Sequence, residues 1–165
     1  MFQRQDMSEF IVKTEFDRLF ASVNHSECGV IDIPKGVMLY RANDVLEAKP
    51  RANMCHDTGK TGTYFSANSP YLAETMCSEY GKSMIIGIYR VIKPIHVIVG
   101  KYTIKYEDVS HVDGDIEAIK ATRIDTKPFA EVFITAKQID KIELIGSYML
   151  TFQESVDKWG LIEWT

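Results

Sequence analysis

The sequence predicts an α+β protein in which helices flank a sheet formed mainly by the middle of the chain. Two observations support this class. Apolar residues recur near helical spacing at both ends, over residues 7–23 and again over residues 149–165. Between them, β-rich segments alternate with short turn signals. This order favours an α+β fold over a doubly wound parallel sheet, in which helices and strands would alternate.

The length and composition predict one domain spanning residues 1–165, because 165 residues bury a sizeable core without disulfides or metals. The 45% hydrophobic and 25% charged fractions are typical of a folded globular protein. A net charge of -4 provides no basic footprint for stable nucleic-acid binding. An enzyme that contacts nucleic acid briefly stays compatible with that charge.

The cysteines and histidines show no metal-ligand spacing. Cys28, Cys55 and Cys77 form no CxxC pair, and the four histidines form no HxxxH or HExxH motif. We therefore expect reduced thiols and no metal.

No apolar run approaches the length of a membrane span, and the first ten residues lack a secretory apolar core. We expect a protein that does not associate with membranes and acts in the cytoplasm. A domain secreted or delivered into a target cell would have the same composition.

The first half of the chain begins with an amphipathic helix predicted over residues 7–23. A turn at 34–36 leads into a strand over residues 37–42. Residues 43–60 are polar and predict a long loop with a short helix near 45–48. Loops of this length in compact domains are often functional.

The segment from residue 61 to residue 79 combines a strand, a turn and a helix. Residues 64–66 suit a strand, and Ser69 before Pro70 is a typical helix start, so the helix is predicted at 71–80. Such a junction places a serine hydroxyl, an aromatic face and a helix N-terminus around one concavity.

The second half of the chain alternates apolar strands with turn signals. Residues 100–126 are mixed, with a turn at 113–115 and a short helix or edge strand over 116–122. A final helix is expected within residues 149–165. The predicted strands cover residues 84–92, 95–99, 129–134 and 141–145, the last ending at Gly146.

Three polar residues interrupt strand-like apolar segments: Arg41 in MLYRA, Ser66 in TYFS and Glu131 in FAEVFI. A buried charge without a partner is costly, so each of these residues requires an explanation. Taken singly, each is most simply placed on the solvent face of a half-buried strand. Their joint order along the chain is the more informative observation.

An arginine on a first strand, Tyr-x-Ser on a second strand before a helix, and a glutamate on a later strand resemble the ADP-ribosyltransferase superfamily. The similarity is to its arginine-serine-glutamate, cholera-toxin-like branch. The three motifs are LYRAND at 39–44, GTYFSANSPYLAE at 62–74 and FAEVFITAKQIDKIELI at 129–145. This resemblance implies an ADP-ribosyltransferase-like split β-sandwich with flanking helices, and NAD+ as substrate without a metal.

The resemblance also implies roles for individual residues. Arg41 would bind the phosphates or the nicotinamide ribose of NAD+. Ser66 would orient Glu131 or support the nicotinamide side, and Glu131 would bond the ribose and stabilise the oxocarbenium-like state. Tyr64 would stack on nicotinamide, and Tyr40 and Ala42 would flank Arg41 in the NAD+ site.

The function that this resemblance implies is mono-ADP-ribosylation of a macromolecular acceptor, protein or nucleic acid, by a toxin or effector. Phe129 stands where arginine-modifying relatives carry Glu or Gln, so an arginine acceptor is not expected. A cognate immunity protein or antitoxin would be a partner by the same analogy.

Two alternatives stay open. YRA followed by Y-x-S-x-x-S-P-x-L-A-E also resembles RES-domain toxins, NAD+ glycohydrolases or phosphorolases, in which Glu74 would replace Glu131 as the acid. The second motif reads Phe65-Ser66-Ala67 rather than Ser-Thr-Ser. That departure leaves open a noncatalytic binding module.

Overall fold

A computed structural model describes residues 29–55, 59–99 and 130–160, together with residues 15, 16 and 18. Those three residues are helical, and Phe16 is fully buried in the core. Most of the helix predicted over residues 7–23 lies outside the described residues. The segment predicted as mixed, residues 100–126, lies outside them as well.

The described chain forms an α+β fold around an antiparallel sheet, which confirms the predicted class. The sheet has the order β1-β6-β7-β4-β2-β5-β8, with β3 paired to β4, and every pairing among the described strands is antiparallel. The strands are β1 (Gly29–Ile33), β2 (Met38–Asn43), β3 (Asn53–Cys55), β4 (Lys60–Ala67), β5 (Met84–Val91), β6 (Ile95–Val99), β7 (Ala130–Thr135) and β8 (Ile142–Leu150). The helices are α1 (Tyr71–Tyr80), a 3-10 helix (Ala136–Lys141) and α2 (Phe152–Trp159).

Two apolar clusters lie on opposite faces of the sheet. The larger one joins strands from both ends of the sheet order and includes Leu39, Phe65 and Tyr89. The smaller one lies under α1, where Tyr40 and Ala42 of β2 pack against the buried face of that helix. Alternate residues of β2 therefore face different clusters, as the two-residue period of a strand requires.

The helix α1 is confirmed at its predicted bounds, Tyr71–Tyr80. Pro70 rather than Ser69 occupies the N-cap position, one residue later than predicted. Ser69 Oγ nevertheless accepts a hydrogen bond from the Tyr71 amide at 3.2 Å and so satisfies one of the free amides at the helix start. Asn68 takes a left-handed conformation with φ of 63°, which turns the chain sharply between β4 and the helix. The local sequence thus determines the β4–α1 junction.

The secondary structure departs from the predictions in four places. β1 was not predicted, β3 lies within the predicted loop, and no helix forms at residues 45–48. β8 continues through Gly146 to Leu150 because Gly146 pairs with Ile88 of β5, and this pairing extends to the strand end. For β1, β3 and the end of β8, pairing with a distant strand outweighs a weak local sequence signal.

Candidate functional site

The strands β2 and β4 separate after a very short pairing. They pair only at Leu39 with Ala67 and at Tyr40 with Ser66, after which β4 pairs with β3 instead. A cavity of about 270 Å³ lies at this separation. It is lined by all six residues that the sequence singled out: Tyr40, Arg41, Ala42, Tyr64, Ser66 and Glu131.

Three of these residues form one row across the sheet. Tyr40 pairs with Ser66, and Ser66 pairs in turn with Glu131 of β7, so their side chains share the face covered by α1. Arg41 is the next residue of β2, and the pleat directs it toward the other face. Arg41 lines the cavity because β2 leaves β4 at this point, and no hydrogen bond or ion pair joins it to Glu131.

Arg41 is half-buried and held by neutral partners. Its Nε donates to Thr63 Oγ1 at 3.0 Å, and its Nη1 donates to Asn43 Oδ1. Burial lowers the pKa of Arg41, and the charges of Tyr89 and Glu47 act in the opposite direction. Among the described residues, no carboxylate lies within 4.0 Å of the guanidinium. An arginine with this surrounding is suited to bind an anion.

Glu131 presents a carboxyl group that lacks a hydrogen-bond partner. The side chain as a whole keeps some exposure, but its Oε2 is inaccessible to solvent and unpaired within the described structure. Burial, together with a smaller contribution from the Glu79 carboxylate, raises the pKa of Glu131 to about 7. A carboxyl with this pKa exchanges its proton near neutral pH, which suits acid–base or charge-stabilising chemistry.

Ser66 and Tyr64 make contacts that differ from those the resemblance implies. The Ser66 hydroxyl donates to the Ser69 carbonyl and not to Glu131, so it stabilises the β4–α1 turn. The Tyr64 hydroxyl bonds Cys55 Sγ at 2.9 Å, and its ring packs edge-to-face on Phe133 with centroids 4.9 Å apart. In the described structure the Ser66 hydroxyl therefore bonds the backbone of the turn and does not orient Glu131.

Glu74 lies away from the cavity and is fully engaged elsewhere. Its carboxylate accepts bonds from Trp159 Nε1 at 2.7 Å and from the Tyr148 hydroxyl, and pairs with Lys158 Nζ at 2.8 Å. Only 1% of the residue is exposed, and it does not line the cavity. The acid of the RES-type alternative is therefore a structural anchor for α2 in this fold.

Sequence reasoning missed several residues of the site. Thr63 and Asn43 hold Arg41. Thr63 lies on another strand, so the sequence offers no signal for it, whereas Asn43 follows Arg41 by two residues on the same face of β2. Gly62 had a readable signal, since a glycine inside a strand often marks a close approach. A Cβ at Gly62 would lie 2.3 Å from the Ile134 carbonyl oxygen, so a larger residue would push β4 from β7. Cys55 also lines the cavity; it belongs to β3, the strand that lies within the predicted loop.

Comparison of the chain with protein-family models, with curated proteins and with solved structures finds no match.

The described residues provide neither a metal-ligand group nor a helix that could span a membrane. Within residues 29–55, 59–99 and 130–160, no group of three or more His, Cys, Asp or Glu side chains is placed to hold a metal ion. Over the same ranges, no helix has the length and apolar character that crossing a membrane requires.

Proposed function

We propose that this chain is a mono-ADP-ribosyltransferase that cleaves NAD+ and transfers ADP-ribose to a macromolecular acceptor. One observation carries the proposal: Arg41, Ser66 and Glu131, from three neighbouring strands, line a single cavity. On this proposal the separation of β2 from β4 is the opening of a split β-sandwich, and NAD+ binds in it.

Arg41 would bind the negatively charged part of NAD+. Its guanidinium is half-buried and forms no ion pair with a described carboxylate, and the residue lines the cavity, so a diphosphate bound there would meet a partly desolvated cation. Arginine suits this role better than lysine because its planar donors match phosphate oxygens in pairs.

Glu131 would act where positive charge develops. The bond between the anomeric carbon and the nicotinamide nitrogen breaks with its electron pair leaving on nicotinamide, and a bond to the acceptor nucleophile forms as that nucleophile loses its proton. The Glu131 carboxylate stabilises the ribose cation between these events. Because the pKa of Glu131 is about 7, this ionised form is populated above neutral pH.

The dimensions of the cavity suit one end of a dinucleotide. At about 270 Å³ it is near the lower limit of ligand sites, which fits nicotinamide and its ribose with the adenylate end outside. The lining combines apolar walls from Leu72, Ala73 and Met76 of α1 with the polar residues described above. Apolar walls with few polar groups are typical of such sites.

The biological setting is proposed by analogy with the family. The chain would be a toxin or effector that acts in the cytoplasm, produced there or delivered into a target cell. Its partners would be the acceptor, a protein or a nucleic acid, and a cognate immunity protein or antitoxin. Phe129, which precedes Glu131 by two residues and lies outside the described residues, makes arginine an unexpected acceptor.

The test is transfer of label from NAD+ carrying labelled adenylate to components of a cell lysate. The wild-type protein should label a discrete acceptor, and Glu131→Gln and Arg41→Lys should each reduce the rate by about 100-fold or more. Glu143→Gln and Arg90→Lys make the same changes at exposed strand positions and should retain wild-type rates. Label transfer that survives Glu131→Gln would refute the assignment.

The same assay separates the two alternatives. Free nicotinamide without any labelled acceptor would assign NAD+ hydrolysis, and loss of that reaction in Glu74→Gln but not in Glu131→Gln would assign the RES-type acid. Calorimetry that detects no NAD+ binding would instead assign a noncatalytic module.

A further inference from the structure

The guanidinium of Arg41 is held from two sides, by its own strand β2 and by the neighbouring strand β4. Nε donates to Thr63 Oγ1 of β4 at 3.0 Å, and Nη1 donates to Asn43 Oδ1 of β2. Nη2 makes no hydrogen bond to the residues that the structure describes. Nε and Nη1 are thereby fixed by the protein, and Nη2 is left to bond another partner.

Asn43 is itself fixed by the backbone. It is 4% exposed, and its Nδ2 donates to the Arg41 carbonyl at 2.9 Å and to the Ile85 carbonyl of β5 at 3.4 Å. Because both amide protons bond to strand carbonyls, the direction of Oδ1 is set before any ligand binds. Asn43 therefore orients Arg41 rather than following it.

Both acceptors on Arg41 are neutral. The nearest acid in the sequence, Asp44, pairs with Lys82 Nζ at 2.7 Å. The Glu47 carboxylate acts on Arg41 through its charge but forms no described ion pair with it. A carboxylate in the place of the Asn43 amide would form a short ion pair with the guanidinium and compete with any anionic ligand. The amide supplies the hydrogen bond without this competition.

We infer that Asn43 is a positioning residue for anion binding, whose neutral amide directs the Arg41 guanidinium while leaving its positive charge available to a diphosphate. The inference rests on the proposed function, since NAD+ supplies the diphosphate. It adds that the amide at this position determines how strongly the site attracts negative charge.

The experiment compares Asn43→Asp with wild type by calorimetry, using ADP-ribose, inorganic pyrophosphate and nicotinamide as probes. The affinity for both anions should fall by about tenfold, because the new carboxylate neutralises Arg41. The affinity for uncharged nicotinamide should be unchanged. A general disturbance of the fold would weaken all three ligands alike, so this contrast separates positioning from stability.

The matched control is Gln138→Glu, which makes the same amide-to-carboxylate change on the 3-10 helix outside the cavity and should bind all three probes as wild type does. If Asn43→Asp does not fold, Asn43→Ser replaces it. The affinity of that variant for ADP-ribose should fall a few-fold, because the shorter serine side chain cannot bond Nη1 of Arg41 and adds no charge. Its affinity for nicotinamide should be unchanged. Equal loss of both ligands in Asn43→Ser would overturn the inference.

The outcomes also separate this inference from the proposed function. If wild type binds ADP-ribose and Asn43→Asp binds it equally well, the positioning role is wrong and the proposed function stands. If wild type binds neither ADP-ribose nor NAD+, both fail together.

Discussion

At the scale of single residues, the cavity places two ionisable groups in surroundings that oppose their charges. Arg41 is half-buried beside neutral acceptors, and Glu131 has one carboxylate oxygen that no described group bonds. Each group loses hydration on folding, and no opposite charge among the described residues lies within ion-pair distance to compensate for it. A ligand that carries both negative and positive charge would offset both losses.

Glu131 should make the stability of the protein depend on pH. Its pKa is about 7 in the folded protein and near 4.5 when unfolded, so below about pH 4.5 both states hold the proton and the group has no effect. Between these values only the folded state holds it, and each pH unit lowers the free energy of unfolding by up to about 1.4 kcal/mol. The loss is complete above about pH 7.

Urea unfolding of wild type and Glu131→Gln from pH 4.5 to pH 8 measures this effect. The variant should match wild type at the acid end and exceed it by up to about 3 kcal/mol at pH 8, since glutamine does not ionise. Glu143→Gln, at an exposed strand position, should follow the wild-type curve. Parallel curves for Glu131→Gln and wild type would show that Glu131 ionises as freely as in water.

At the scale of elements, α1 has two separate roles on its two sides. Leu72, Ala73 and Met76 line the cavity, whereas Glu74 faces α2 and is bonded by Trp159, among others. The Tyr71 and Trp159 rings add an edge-to-face contact with centroids 4.6 Å apart. The C-terminal helix therefore holds one wall of the cavity in place from behind.

Glu74→Ala should lower the free energy of unfolding by about 3 kcal/mol. The substitution leaves the Tyr148 hydroxyl and the Trp159 N–H without their acceptor, and Lys158 loses its buried counter-charge. Denaturant unfolding followed by tryptophan fluorescence measures the change. Glu143→Ala, at an exposed position of β8, should cost less than about 0.5 kcal/mol; equal costs would mean that the network contributes nothing.

At the scale of the whole molecule, two residue pairs between β2 and β4 join β1, β6, β7 and β4 to β2, β5 and β8 in the described sheet. The larger apolar cluster compensates for this weak pairing. It combines Phe65 and Val132 from one part with Leu39 and Tyr89 from the other. A ligand in the cavity would contact both parts and add a further link between them.

NAD+ should therefore raise the melting temperature of the protein. A ligand that binds only the folded state at about 100 times its dissociation constant adds about 2.7 kcal/mol to stability. Differential scanning fluorimetry with increasing NAD+ should show a rising midpoint for wild type and Arg90→Lys, and a much smaller rise for Arg41→Lys. An equal rise in Arg41→Lys would place the bound nucleotide away from the cavity.

The sequence alone determined the α+β class, the bounds of the helix α1, and the candidate residues Arg41, Ser66 and Glu131, because these depend on local propensity and on residue order. Only the tertiary structure decided which candidates meet. It joined Arg41 and Glu131 at one cavity through the separation of β2 from β4, and it engaged Glu74 with α2 instead. Cross-strand register and helix packing link residues far apart in the chain, and no local pattern encodes those distances.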